Sequence, residues 1–157
     1  MHNFDLNEFQ IEVQQRKKFI DRCLTGCLEQ IDAYPAIIHQ AMHYAIFNGG
    51  KRLRPILVME GAVLAGGDRE QVIPVACALE MIHSYSLVHD DLPAMDNDDF
   101  RRGKPTCHKV FGEDIAILTG DALLTGAFKL MTQNAAVAPV KAEQVLQVIA
   151  EVSKAAG

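Results

Sequence analysis

The amino-acid sequence predicts an all-α fold organised as a single domain. Apolar residues recur at spacings of three, four or seven residues along most of the 157 positions, which is the period of amphipathic helices. No segment shows the strict apolar-polar alternation that indicates a half-buried strand. Proline and glycine residues fall between the periodic segments, where helices begin and end. We therefore expect helices packed around one core.

Three helices are predicted in the first part of the chain. The first runs to the turn at residues 34–35, and the second begins near Ile37 and stops at residues 48–50. Two consecutive glycines there permit a positive φ at a helix end. The third helix starts within residues 52–55 and ends at residues 66–68. The apolar positions that define the first helix are Phe9, Val13, Ile20, Leu24, Leu28 and Ile31.

Three further helices are predicted in the second part. Residues 69–91 give the longest periodic stretch, and Pro93 ends it, leaving residues 92–106 as a polar loop. The next helix spans about residues 112–131 and the last about residues 140–154. Small residues give the penultimate helix a face for close packing: Gly120, Ala122, Thr125, Gly126 and Ala127.

Composition excludes several classes of protein. The chain is 49% apolar and 22% charged, which is ordinary for a globular domain and argues against a disordered or collagen-like chain. The 15 Lys and Arg against 20 Asp and Glu give a net charge of −5, and no basic block indicates a nucleic-acid partner. Apolar runs are short, so we expect no membrane span. The N-terminus has no signal-peptide pattern, so we expect a cytoplasmic protein.

The four cysteines predict no metal centre. Cys23, Cys27, Cys77 and Cys107 form no Cys-x-x-Cys pair and fit no common zinc spacing. Cys23 and Cys27 lie four residues apart in an apolar helical pattern. We therefore expect buried, reduced thiols.

Acidic residues are concentrated after the longest predicted helix. Five of the ten residues from Asp90 to Asp99 are aspartate. Either these carboxylates are solvated in a loop, or they converge and a cation holds them, because like charges repel when they are brought together. Oxygen ligands favour Mg²⁺, which binds one or two carboxylates and leaves its other positions to water and phosphate. An EF-hand is excluded because Arg101 stands where its sixth-position glycine is required.

Basic residues flank this segment in sequence and in the predicted structure. Lys51 and Arg54 lie three residues apart at a helix start, beside free backbone N–H groups that favour an anion. Arg101 and Arg102 follow the aspartates, and His83 lies two helical turns before Asp90. Each feature has an ordinary explanation alone: a capped helix, a solvated arginine pair, an interior histidine. Together they predict a cavity with a metal-bound phosphate site and a basic phosphate site.

Five sequence segments carry a resemblance to a known family. They are residues 49–55 (GGKRLRP), 83–89 (HSYSLVH), 90–96 with 101–103 (DDLPAMD and RRG), 105–108 (PTCH) and 120–124 (GDALL). From about Met42 to Phe128 the chain resembles the trans-isoprenyl diphosphate synthases, or polyprenyl synthetases, and most closely the bacterial short-chain farnesyl diphosphate synthases. The resemblance implies an isoprenoid synthase fold, an antiparallel helical bundle around a central cavity.

The resemblance also implies an activity and roles for named residues. The family condenses an allylic diphosphate, dimethylallyl or geranyl, with isopentenyl diphosphate by ionisation, condensation and proton loss. Asp90 and Asp96 would bind two Mg²⁺ ions that hold the allylic diphosphate, with Asp91 in support, and Arg101 would contact the same diphosphate. Isopentenyl diphosphate would be bound by Gly50, Lys51, Arg54, His83 and Arg102. Charge neutralisation of the leaving diphosphate and a dry, apolar pocket suit this chemistry.

Product length is implied by the residue five positions before the first aspartate. In the family this side chain forms the floor that stops the growing tail, and here it is Tyr85. A large ring favours a fifteen-carbon product, farnesyl diphosphate. The two extra residues inside the acidic motif, Pro93 and Ala94, fit the bacterial farnesyl type. The alternatives are a geranylgeranyl diphosphate synthase and a non-catalytic regulatory subunit.

The sequence departs from the family in length. Family chains are about twice as long, and their second half carries another aspartate-rich motif that binds a third Mg²⁺. We therefore expect residues 1–157 to be the N-terminal part of a single prenyltransferase domain, with the C-terminal half absent and no activity by this part alone. Half of a helical cup exposes its interior unless it associates, so we expect a homodimer.

Overall fold

The computed structural model describes residues 5–28, 34–137 and 139–157 and confirms an all-α architecture. The helices are α1 Leu6–Cys27, α2 Ala36–Phe47, α3 Leu53–Leu64, α4 Ile73–Asp90, α5 Cys107–Phe111, α6 Glu113–Thr132 and α7 Ala142–Ala156. Short 3₁₀ turns precede α4 at Arg69–Val72 and follow α6 at Gln133–Ala136. Two two-residue strands, β1 Phe100–Arg101 and β2 Lys104–Pro105, pair antiparallel.

Helices α4 and α6 form the most extensive helix contact among the described residues. Small residues on α6 permit this close approach, as the sequence predicts. A Cβ added at Gly126 would lie 3.2 Å from the Met81 methyl group, and one added at Gly120 would lie 2.0 Å from His89 Nε2. The main core surrounds this pair, with Ile20 and Leu24 of α1 fully buried against it.

The predicted boundaries hold for most helices but not for all. Helix α1 ends at Cys27, and the predicted continuation to the turn at residues 34–35 crosses residues 29–33, which lie outside the described residues. The short helix α5, Cys107–Phe111, was not predicted. The first turn of the stretch that begins at Arg69 is 3₁₀, so α4 has 18 residues and α1, with 22, is longer. The segment predicted as a loop contains the β1–β2 hairpin.

Two helical stretches have the length and hydropathy of membrane spans. They are Arg69–Asp90 and Glu113–Ala136, each with a mean hydropathy of 1.3. The prediction from short apolar runs overlooked them because isolated polar residues interrupt both stretches. Packing between α4 and α6 buries part of these stretches, whose apolar windows are each 39% buried.

The four cysteines are free thiols, but Cys23 and Cys27, whose spacing led to the prediction of buried thiols, are not buried. Cys77 and Cys107 are buried, Cys23 is half-buried and Cys27 is exposed. A hydrogen bond with Cys27, together with burial, raises the pKa of the Cys77 thiol. Burial raises the pKa of Cys107 to about 11. Both buried thiols are therefore protonated at neutral pH and are poor nucleophiles.

Candidate functional site

A basic cavity of about 540 Å³ lies between the α2–α3 turn, α4 and the tip of the β1–β2 hairpin. It contains all five residues that the sequence assigns to one diphosphate. The cavity is lined by Gly49, Gly50, Lys51, Arg52, Leu53, Arg54, Glu80, His83 and Arg102. Residues separated by up to 53 positions in the chain are thus brought to one site.

The glycine turn before α3 fits closely around Arg102. Gly49 and Gly50 have φ values of 96° and 124°, a region that side chains disfavour. The Arg102 guanidinium donates a hydrogen bond from Nη1 to the Gly49 carbonyl, at 2.5 Å. A Cβ at Gly50 would lie 2.6 Å from the same Nη1 atom. Glycine is therefore favoured here by backbone conformation, and a side chain at Gly50 would also displace the Arg102 guanidinium.

The β1–β2 hairpin explains how Arg102 reaches this turn. Arg101 pairs with Lys104, which leaves Arg102 and Gly103 as a two-residue connection. Both connecting residues have positive φ, 54° and 78°, as a type I′ hairpin turn requires. Arg102 therefore stands at the hairpin tip, while its neighbour Arg101 lies in the strand.

Lys51 and Arg54 present cationic side chains to the cavity. Both are exposed, and among the described residues neither side chain makes a hydrogen bond or ion pair. Helix α3 begins between them, and no side chain caps its first turn. Free N–H groups at a helix start favour an anion. Two available cations beside an uncapped helix start can therefore bind a phosphate group.

His83 is neutral at pH 7 in this cavity. Burial, followed by the charge of Arg54, lowers its pKa below the ordinary 6.5. Arg102 and Arg101 act in the same direction, and Glu80 acts against them. A neutral imidazole can donate one hydrogen bond and accept another.

A backbone hydrogen bond after α4 links two of the three predicted metal ligands. The helix ends at Asp90, and the backbone N–H of Asp96 donates to the Asp90 carbonyl oxygen at 2.8 Å. Asp90 is half-buried and Asp96 is exposed. Neither carboxylate has a hydrogen bond or ion pair within the described parts of the chain. Both are therefore available to a cation.

Asp91 has a different environment from its neighbour. Its side chain is 5% exposed and accepts hydrogen bonds from Arg101 Nε at 2.8 Å and from Arg101 Nη2 at 2.5 Å. The hydrogen bond to Asp91, opposed by desolvation, raises the pKa of Arg101. In the structure, Asp91 and Arg101 therefore bind each other. The sequence assigns Asp91 to the metal and Arg101 to a diphosphate.

The donor set near Asp90 fits Mg²⁺ with a phosphate ligand. Residues 5–28, 34–137 and 139–157 hold no cluster of three or more His, Cys, Asp and Glu side chains that could form an all-protein metal cage. Mg²⁺ does not need one, because it is commonly held by one or two carboxylates together with substrate phosphates and water. Asp90 and Asp96 supply such a pair.

Tyr85 lies in a second cavity, of about 670 Å³, between α4 and α7. The half-buried ring stands edge-on to His89, with 5.8 Å between ring centroids. Leu79, Ile82 and Val152 contribute apolar side chains to its wall. Arg54 and His83 line both cavities, so the apolar cavity adjoins the basic one.

Sequence reasoning missed three residues that organise the site. Arg52 and Glu80 form a buried ion pair in the wall of the basic cavity, and His89 packs directly on Gly120. A signal for the pair was present, since Glu80 is the only acidic residue between Ile73 and His89. The sequence pattern did not predict the contact between His89 and Gly120, because a face of small residues does not indicate which side chain packs against it.

The described helices, with a basic cavity beside α4 and aspartates at the end of that helix, have the fold of the isoprenoid synthases. A structure of an FPP/GFPP synthase from Zymomonas mobilis matches 96% of the chain with a TM-score of 0.87 and 40% identity, and the match covers 53% of that protein. The sequence profile of the polyprenyl synthetase family matches residues 35–156. The chain belongs to this family.

Curated relatives carry two kinds of product in their names. A farnesyl diphosphate synthase of Geobacillus stearothermophilus is 52% identical over 121 residues, which is 77% of this chain and 40% of that protein. The heterodimeric geranylgeranyl pyrophosphate synthase large subunit 1 of Arabidopsis thaliana is 53% identical over 126 residues, which is 78% of this chain and 33% of that protein. The chain spans between a third and a half of the length of these relatives.

Proposed function

We propose that residues 1–157 are the N-terminal part of one prenyltransferase domain that condenses dimethylallyl or geranyl diphosphate with isopentenyl diphosphate to give farnesyl diphosphate. The observation that carries the proposal is the basic cavity. Its wall contains Lys51, Arg54, His83 and Arg102, and the hairpin that supplies Arg102 also carries Arg101, which binds the carboxylate of Asp91 next to Asp90.

Different residues of the chain have different roles in such a reaction. Lys51, Arg54 and Arg102 hold the isopentenyl diphosphate through charge-assisted hydrogen bonds. Asp90 and Asp96 would hold Mg²⁺, which when bound supplies positive charge that favours departure of the allylic diphosphate. The apolar wall beside Tyr85 excludes water from the allylic cation. No protein nucleophile is required.

Tyr85 supports the fifteen-carbon product within this proposal. Its ring occupies the apolar cavity next to the residues that reach the basic cavity, so it limits the length of a chain lying there. A twenty-carbon product is the second candidate, favoured by the nearly equal identities to the farnesyl and geranylgeranyl synthases. We also propose a homodimer, because Val110, Ile117 and Leu118 expose apolar side chains near one end of α6.

Binding of isopentenyl diphosphate to the chain tests the proposal directly. Isothermal titration calorimetry should show one site, and Lys51→Ala should weaken it about 10- to 100-fold, the equivalent of roughly 1.5–3 kcal/mol for a hydrogen bond to a charged group. Lys154→Ala, an exposed lysine on α7 outside the basic cavity, is the matched control and should leave the affinity unchanged. Equal affinities for the two variants would contradict the assigned site. We expect no turnover by these residues alone.

The affinity for isopentenyl diphosphate should depend on the protonation of His83. The lowered pKa of free His83 rises when an anion binds beside it, so binding takes up a proton and affinity increases as the pH falls from about 7.5 to about 6. Calorimetry in buffers of different ionisation enthalpy measures this uptake. The ligand itself titrates, so His83→Asn provides the baseline. The same uptake in the variant would assign it to the ligand alone.

Replacing Tyr85 by alanine should lengthen the product. The complete translation product of the gene that contains these residues should release chains longer than fifteen carbons, because the ring no longer blocks the apolar cavity. Chromatography of the products after incubation with isopentenyl and geranyl diphosphates measures the shift. Ser86→Ala, which changes the same cavity without removing the ring, should leave the product length unchanged. If Tyr85→Ala also leaves it unchanged, another residue forms the floor.

A further inference from the structure

The wall of the basic cavity contains a buried ion pair to which the proposed reaction gives no role. Arg52 and Glu80 are each 3% exposed, and Arg52 Nη1 donates to Glu80 Oε1 at 2.8 Å. Both residues line the cavity beside Lys51 and Arg54. A carboxylate therefore stands in the wall of a site proposed to bind an anion, and Arg52 is its direct counter-charge.

Arg52 is held by three helices in addition to its own. Its Nε atom donates to Asp21 of α1 at 2.7 Å, and its Nη2 atom donates to the Ile46 carbonyl of α2 at 2.8 Å. The Glu80 contact adds α4, and the guanidinium carbon lies 5.8 Å from the Phe47 ring centroid. This set of contacts uses the planar fork of arginine, which lysine lacks.

The backbone of Arg52 is as constrained as its side chain. Arg52 is the N-cap of α3 and has left-handed φ and ψ values of 55° and 34°. Residues other than glycine adopt this region infrequently, and they keep it where surrounding contacts determine the conformation. The turn buries the Arg52 side chain, whereas the flanking Lys51 and Arg54 stay exposed at the cavity.

The negative charge of Glu80 affects His83, which lines the same cavity. It raises the pKa of His83, whereas the surrounding arginines lower it. With Arg52 in place, the Arg52–Glu80 pair is neutral overall. Lys51, Arg54 and Arg102 then make the electrostatic potential of the cavity positive. Without Arg52, a buried carboxylate would face the anion with no counter-charge.

We propose that Arg52 is a positioning residue for anion binding: it cancels the charge of Glu80 in the cavity wall, so that the uncompensated charges of Lys51 and Arg54 face the ligand. The inference rests on the proposed function, because it takes this cavity as a diphosphate site.

Inorganic diphosphate is the probe, titrated calorimetrically into the chain without Mg²⁺. Glu80→Gln keeps an acceptor for Arg52 and removes one negative charge, so affinity should increase about 3- to 8-fold, as expected for a unit charge within roughly 7 Å at dielectric constants of roughly 80 to 40. Asp21→Asn is the matched control, because it neutralises the other carboxylate partner of Arg52 and does not line the cavity. Its affinity should stay within about 2-fold of the unsubstituted chain.

Removal of Arg52 gives the complementary test. Arg52→Met should weaken diphosphate binding at least about 10-fold, since it exposes the anion to the Glu80 charge. The double variant Arg52→Met with Glu80→Gln should recover to within about 3-fold of the unsubstituted chain. A merely structural role predicts no recovery, because the double variant lacks the same contacts. Circular dichroism establishes folding, and if Arg52→Met does not fold, the comparison of Glu80→Gln with Asp21→Asn decides the inference.

The results separate this inference from the proposed function. No diphosphate binding by the unsubstituted chain overturns both. Binding by the unsubstituted chain, with unchanged or weaker binding by Glu80→Gln, overturns the role of Arg52 alone.

Discussion

Replacing Gly120 by alanine should destabilise the chain by about 2 kcal/mol, within the usual range for overpacking a core, and lower the Tm by about 4–8 °C. The added Cβ would lie 2.0 Å from His89 Nε2 and 2.4 Å from its Cδ2 atom. His89 Nε2 also lies 3.0 Å from the Ile117 carbonyl oxygen, so moving the ring away loses that hydrogen bond. Thermal unfolding monitored by circular dichroism measures the effect.

A matched glycine distinguishes this clash from a general effect of substitution in helices. Gly61 lies on an exposed face of α3, and a Cβ there would meet nothing within 4 Å. Gly61→Ala should therefore stabilise the chain by roughly 0.5–1 kcal/mol through helix propensity. In the double variant with His89→Ala, the Gly120→Ala change should cost much less than it does alone. Equal costs in both backgrounds would show that His89 is not the residue displaced.

Replacing Asp91 by asparagine should destabilise the chain by about 2 kcal/mol, the value typical of a hydrogen bond to a charged group. The change removes the charge that balances Arg101 at a carboxylate that is 5% exposed. Asp90→Asn should change stability by less than roughly 0.5 kcal/mol, because no described residue makes a hydrogen bond or ion pair with the half-buried Asp90 carboxylate. Urea unfolding compares the two variants.

Ligand binding should show the opposite order. Asp90→Asn should reduce the Mg²⁺-dependent part of geranyl diphosphate binding, because Asp90 is one of two available carboxylates at that site. Asp91→Asn should retain that dependence in the folded fraction. If both variants lose the Mg²⁺ dependence at equal stability, Asp91 is a metal ligand, as the sequence predicts.

The sequence predicted the basic cavity well because its determinants are local. Lys51 and Arg54 flank the start of α3, which the two glycines before it and the apolar run after it predict, although the left-handed Arg52 between them shows that helical spacing alone does not place them. His83 lies in a long uninterrupted helix whose period fixes its direction. Helix period and helix ends are the strongest signals in this chain, and most of the fold follows from them.

The hairpin and the Asp91 pairing could not be predicted in the same way. The hairpin turn needs a positive φ at Arg102, a residue type that gives no turn signal, and its strands have two residues each. Asp90 and Asp91 are chemically identical neighbours, and their different burial and the contact of Asp91 with Arg101 of β1 distinguish them only in the folded structure. These features depend on contacts between segments that are distant in the sequence, and a local sequence pattern does not predict such contacts.

The hydrogen bond between Arg102 and Gly49 changes the entropy of ligand capture. A long arginine side chain loses up to about 2 kcal/mol of rotamer freedom when it is fixed, and here folding has already met that cost. In the proposed complex, a diphosphate oxygen would replace a neutral carbonyl as the acceptor, which would strengthen the hydrogen bond. Arg102 would then bind the ligand by exchanging one acceptor for another, without the cost of ordering a free side chain.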